Sequence, residues 1–159
     1  MPELPELADV AAARARLDER ELELIDRARH AGATWAQVAA ALGLGSRQAA
    51  EQRRQRLAAA RRSRRRELDL GYPARVAALR GAVADLQRWI EADRRWDGRF
   101  QRAALVRSTA QSALDAEPGP LYALAAHLAT DLAEAGRARL PAPVQAVAAR
   151  LDTLLSTED

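Results

Sequence analysis

Apolar positions recur along this chain at intervals of three and four residues and nowhere alternate with a period of two. That pattern predicts helices and no strands. Residues 6–31 read as one long helix, with Leu7, Val10, Arg14, Leu17, Glu21, Leu24 and Ala28 on one stripe and Leu22 and Ile25 beside it. Asp18 and Glu21 have the spacing of a capping box, so a pair of helices broken near Asp18 is the alternative. The half from 20 to 30 is expected to pack on the helical hairpin of residues 33–57. Leu4, Leu7 and Val10 are expected to pack on the C-terminal half of the chain or on a second copy. Thr34 is a suitable N-cap, after which Trp35, Val38, Ala39 and Leu42 repeat at helical spacing. Gly43 stands where a helix stops through a positive φ. Ser46 caps the next helix, 46–57, which is rich in Arg and Gln.

Beyond Leu57 the helical pattern loses its apolar face. Of the 14 residues 53–66, 8 are Arg, distributed all round a helix. This is either a solvated extension or a stretch that follows a phosphate backbone. Leu70-Gly71-Tyr72-Pro73 then breaks the helix. Residues 73–97 carry Val76, Leu79, Val83, Leu86 and Ile90 in three–four alternation, the seam of a helical hairpin or of a dimeric coiled coil. Trp89 and Trp96 lie beside that seam as packing anchors. Residues 99–114 repeat Phe100, Ala103, Val106, Ala110 and Leu114. After Glu117-Pro118-Gly119-Pro120, Leu121, Leu124, Leu128 and Leu132 line a helix closed by Gly136, with His127 a partly buried structural residue. Val144, Val147, Leu151 and Leu154 line the last. The expected class is all-α: an N-terminal helix-turn-helix module with a basic extension, 1–68, and a C-terminal bundle of about four helices, 73–159.

Composition narrows the function. The 159 residues contain no Cys and no Lys, so disulfides, thiolate metal sites and Cys nucleophiles are excluded. No apolar run reaches the roughly 20 residues of a membrane span, and the acidic start MPELPELADV lacks the features of a signal peptide. The expected location is the cytoplasm. The net charge of +3 is unevenly distributed. Residues 1–30 hold 5 Arg against 8 acids, residues 31–66 hold 9 Arg against Glu51 alone, and residues 67–159 hold 11 Arg against 13 acids. A basic block between two acidic ones is the pattern of a nucleic-acid footprint.

Residues 33–57 resemble the DNA-binding helix-turn-helix, nearest to that of sigma-factor region four and of response-regulator output domains. The likeness rests on Ala39, where the helices cross, on Gly43 four residues later, on the apolar Leu44, and on Ala49 six after Gly43. It departs at Gln52 and Arg53, where an aliphatic residue is usual, leaving a thin seam of Ala49, Ala50 and Leu57. The resemblance implies that Ser46, Arg47, Gln48, Ala50, Glu51 and Arg54 face the major groove. Arg47 would meet a guanine edge, Gln48 an adenine edge and Glu51 a cytosine amino group. Thr34 and Gln37 would touch phosphate, as would Arg53, Arg56 and the run Arg61, Arg62, Arg64, Arg65 and Arg66.

No glycine-rich phosphate loop, metal-ligand spacing or nucleophile elbow is present in the sequence, so no enzyme, cofactor or metal is expected. Three readings stand. One is a transcriptional regulator on double-stranded DNA, associated with the nucleoid and paired as a homodimer through 73–97 or through the N-terminal helix. The second is an architectural DNA-binding protein of little sequence preference. The third is a helical adaptor that meets a protein partner through its C-terminal helices.

Overall fold

The computed structural model describes Met1 and residues 3–156. Among these residues all regular structure is helical: α1 (Glu3–His30), α2 (Trp35–Ala41), α3 (Arg47–Asp69), α4 (Ala74–Ala92), α5 (Ala103–Asp115), α6 (Pro118–Ala135) and α7 (Ala142–Ser156). Single 3-10 turns stand at Trp96–Gly98 and Arg137–Arg139. The fold is all-α, and among the described residues no helix is long and apolar enough to cross a membrane. Two compact units, Met1–Ser63 and Arg64–Asp159, divide inside α3, which runs unbroken past the division. The segment 70–73, where the sequence suggested a domain boundary, is the turn between α3 and α4.

In the first unit α1 is a single helix of 28 residues, unbroken at Asp18, about 42 Å long. The Asp18 carboxylate reaches Arg53 instead of capping a helix. The buried face of α1 is Leu22 and Ile25, and no earlier described residue of the helix is buried. This corrects the expected stripe, since Leu7, Val10, Leu17 and Leu24 remain 63%, 46%, 68% and 48% exposed. The core formed with α2 and α3 is small, comprising Leu22, Ile25, Val38, Ala39, Ala50, Leu57 and Ala58. It covers only the C-terminal half of α1 and leaves the rest of a long amphipathic helix bare.

In the second unit α4 packs on α5, α6 and α7. Val76, Leu79, Val83, Leu86 and Ile90 all lie in the core. The seam that suggested a dimer through 73–97 is therefore consumed inside the bundle. Asp93 takes an extended conformation and ends α4 at Ala92. Its carboxylate accepts the Arg95 N–H at 3.0 Å and pairs with Arg99. Trp96 thus leaves the helix and stands buried on the following turn. Its Nε1 donates to the Ala103 carbonyl at 2.8 Å, and its ring meets Phe100 edge to face. Trp89, on α4, is exposed, so only one of the two tryptophans is an anchor. His127 is exposed rather than partly buried.

The second unit also buries an ion pair. Asp69 and Arg80 are both almost fully enclosed. Arg80 Nη2 donates to Asp69 Oδ1 at 3.1 Å, and its Nε bonds the other carboxylate oxygen. The same guanidinium donates to the carbonyls of Ala113, Leu114 and Ala116 at 3.0, 3.1 and 2.7 Å. Those carbonyls lie at and just after the last turn of α5, where helical acceptors lack the usual partner four residues on, and Ala113 O accepts the Ala116 N–H at 3.3 Å besides. Replacing either Arg80 or Asp69 with Ala strands a buried charge, at a cost of about 3–5 kcal/mol. Replacing Arg150, an exposed partner of Asp85, should cost under about 1 kcal/mol. Denaturant melts of the three variants, followed by far-UV circular dichroism, check this. Equal losses in all three would contradict it.

Candidate nucleic-acid interface

The α2–turn–α3 segment is built from local signals. Thr34 caps α2: its hydroxyl accepts the Gln37 N–H at 3.2 Å and donates to Gln37 Oε1 at 3.1 Å. Gln37 Oε1 also accepts the Thr34 N–H at 2.7 Å, completing a reciprocal cap. The two residues expected at phosphate therefore spend their oxygens on holding the start of α2. At its other end, Leu44 N–H donates to Ala39 O at 2.8 Å and Gly43 N–H to Ala40 O at 3.2 Å. This double closure needs a left-handed residue between helix and turn, and Gly43 supplies it with φ +66°. Ser46 Oγ then accepts the Ala49 N–H at 3.1 Å, opening α3.

Packing decides which side of α3 faces out. Ala50, Leu57 and Ala58 are buried and Ala49 is half-buried, so the seam is the expected one with Ala58 added. Ala50 consequently points into the core and not toward a groove. The departure at 52–53 is absorbed by charge. Arg53 lies over α1, its Nε 2.9 Å from Glu21 Oε1 and its Nη2 2.8 Å from Oε2, with Asp18 at 3.4 Å. Arg54 reaches Asp26 through Nε at 2.8 Å and Nη2 at 3.3 Å. Both arginines, expected on DNA, are thus held by carboxylates of α1. Glu51 is half-buried and lines a cleft of about 610 Å³ with Asp26, Arg29, His30, Trp35 and Arg54. Arg29 stacks over the Trp35 ring at 4.6 Å.

The exposed side of the first half of α3 carries Arg47, Gln48, Gln52, Gln55 and Arg56, with Ser46 exposed at its start. Gln52 and Gln55, which the helix-turn-helix resemblance does not single out, share a face with Gln48, as the spacing 48–52–55 requires. Further along, Arg61, Arg62, Arg64 and Arg65 are half-buried and Arg66 is exposed. The run is partly covered, not solvated on all sides. Among the described residues no group of three or more His, Asp or Glu side chains converges on a metal site. No protein-family model matches the chain, and no curated protein or solved structure matches it.

Arg53 holds the Glu21 carboxyl below its ordinary 4.5, chiefly through the hydrogen-bonded fork and against a smaller opposing effect of burial. A depressed carboxyl stabilises the fold above its unfolded pKa and loses that stabilisation as pH falls through the lower folded value. Glu21→Gln should therefore cost under about 1 kcal/mol at neutral pH for so exposed a pair. The gap from the parent chain should close as acid is added below pH 4.5. Denaturant titrations at several pH values read the gap. A gap that stays constant into acid would remove the pair from the account.

Proposed function

We propose that this chain binds double-stranded DNA as a nucleoid-associated transcriptional regulator and lays the exposed side of α3 in the major groove. What carries the reading is that exposed side, with Gln48, Gln52 and Gln55 together, Arg47 and Arg56 at its two edges, and Glu51, its one acid, half-buried in the cleft beside Gln55. The helix is steadied from behind by α1 and α2 through buried alanines and two ion-paired arginines. The basic block of residues 31–66 between acidic neighbours supports it, as does the spacing of Ala39, Gly43, Leu44 and Ala49. Glutamines pair with adenine through N6 and N7, and arginine with guanine through O6 and N7. Arg47 and Gln48 lead the base-reading set, and Gln52 and Gln55 replace Ala50 and Arg54 within it. Thr34 and Gln37 serve the cap of α2. Phosphate contacts fall to Arg56, Arg65 and Arg66, with Arg62 beside them.

Four neutralised phosphates give a slope of log K against log salt near −3.6, on the scale of about −0.9 per phosphate. Arg47→Ala should cost about 1–3 kcal/mol on a selected site and relax preference at one base pair. Arg65→Ala with Arg66→Ala should weaken selected and random duplexes alike and flatten the slope. Anisotropy titrations on both duplexes at several salt concentrations decide it. Equal binding to selected and random DNA by the parent chain would favour the architectural reading. No salt-dependent retention on either duplex would end the DNA reading and leave the helical adaptor.

A further inference from the structure

We propose that two copies of this chain pair antiparallel through α1, each seating its Leu4, Leu7 and Val10 in the groove beside Leu17 and Leu24 of the other. The inference does not depend on DNA binding.

Two halves of an interface lie bare on one chain. The first is the apolar N-terminal half of α1, where Leu4, Leu7 and Val10 are all exposed. The second is an open groove of about 740 Å³ between α1 and α2. It is lined by Leu17, Leu24, Ile25, Ala28, Val38 and Leu42, among others. A ridge and a groove on the same surface make a self-complementary patch, which a two-fold axis satisfies twice. An uncovered apolar surface of this kind marks an interaction site. Along α1 the positions 7, 10, 14, 17, 21, 24 and 28 repeat every three and four residues, the spacing of helices that wind together.

Charge selects the partner and the direction. The first turn of α1 carries Glu3 and Glu6, and its last turn carries Arg27, Arg29 and His30. Parallel pairing sets acid against acid and base against base, and brings Arg14 to Arg14 and Glu21 to Glu21 along the seam. Antiparallel pairing lays each acidic first turn beside Arg27 and His30 of the other copy, Arg29 being turned onto the Trp35 ring of its own chain. Matching the ends puts the crossing near the middle of the helix, around Ala15 to Leu17. Leu7 of one copy then stands level with Leu24 of the other, at the mouth of the groove. The two Leu7 residues are roughly 25 Å apart at a rise of 1.5 Å per residue.

The chain contains no cysteine, so introduced thiols report this arrangement without background. Light scattering at tens of micromolar should give twice the chain mass of 17.3 kDa. Leu7→Glu combined with Val10→Glu should return the single-chain mass with an unchanged helical spectrum, because both side chains are exposed. Under mild oxidation, Leu7→Cys chains mixed with Leu24→Cys chains should form a disulfide-linked pair, while Leu7→Cys alone should not. A monomer mass for the parent chain would overturn the proposal. So would a dimer that survives the glutamate pair, or a Leu7→Cys chain that links to itself.

Discussion

In the first unit two adjacent arginines of α3 turn onto three acids of α1 and set which side of that helix faces out. The unit's core has seven residues, three of them alanines, and alanine buries too little area to fix a helix about its own axis. Arg53 and Arg54 supply what the alanines lack. One grips Glu21 with two parallel bonds and touches Asp18, and the other grips Asp26. Paired N–H donors in a planar fork set direction as well as distance. With that side of α3 fixed against α1, Gln48, Gln52 and Gln55 come to the outside. The ion pairs that take two arginines away from the proposed DNA surface thus define the surface that remains.

What was legible in the sequence was local. Thr34, Gly43 and Ser46 act within three to five residues of themselves, through caps and a left-handed turn, and the structure places each at such a point. Helical period and the all-α class come from near neighbours in the same way. The orientation of charged side chains was not legible. Arg53 meets Glu21 across 32 residues and Arg54 meets Asp26 across 28, and a row of arginines on a helix carries no mark of which ones turn inward. The apolar stripe of α1 misled for a related reason. Periodicity shows that a face is apolar, while the extent of the opposing core decides how much of it is covered, and that core covers only the half of α1 with Leu22 and Ile25.

The second unit shows the same limit in a buried setting. Arg80 follows Leu79 on the apolar side of α4, where a charged residue reads as the edge of a stripe. It lies inside the bundle because five acceptors surround it: two carboxylate oxygens of Asp69 and three carbonyls at the end of α5. A buried guanidinium is tolerable only when its donors are satisfied. The pair also ties the last residue of α3 to α4 and α5. The turn of Leu70-Gly71-Tyr72-Pro73 therefore changes the direction of the chain without releasing the end of α3 from the bundle.

The acids of α1 have two different roles along one helix. Asp18, Glu21 and Asp26 face α3 and are matched by its arginines, so that part of α1 presents little net negative charge beside the basic helix. A helix whose acids were all outward would set a negative strip next to any phosphate the unit approached, and the repulsion would act over about 8–10 Å at ordinary salt. Glu3 and Glu6 stand more than two turns away from these inward acids, at the far end of α1. Their charge acts at the bare apolar end, where a basic helix terminus is the natural complement. The separation of the two acid sets along a rigid rod lets one helix support α3 with its C-terminal half and offer a second surface with its N-terminal half.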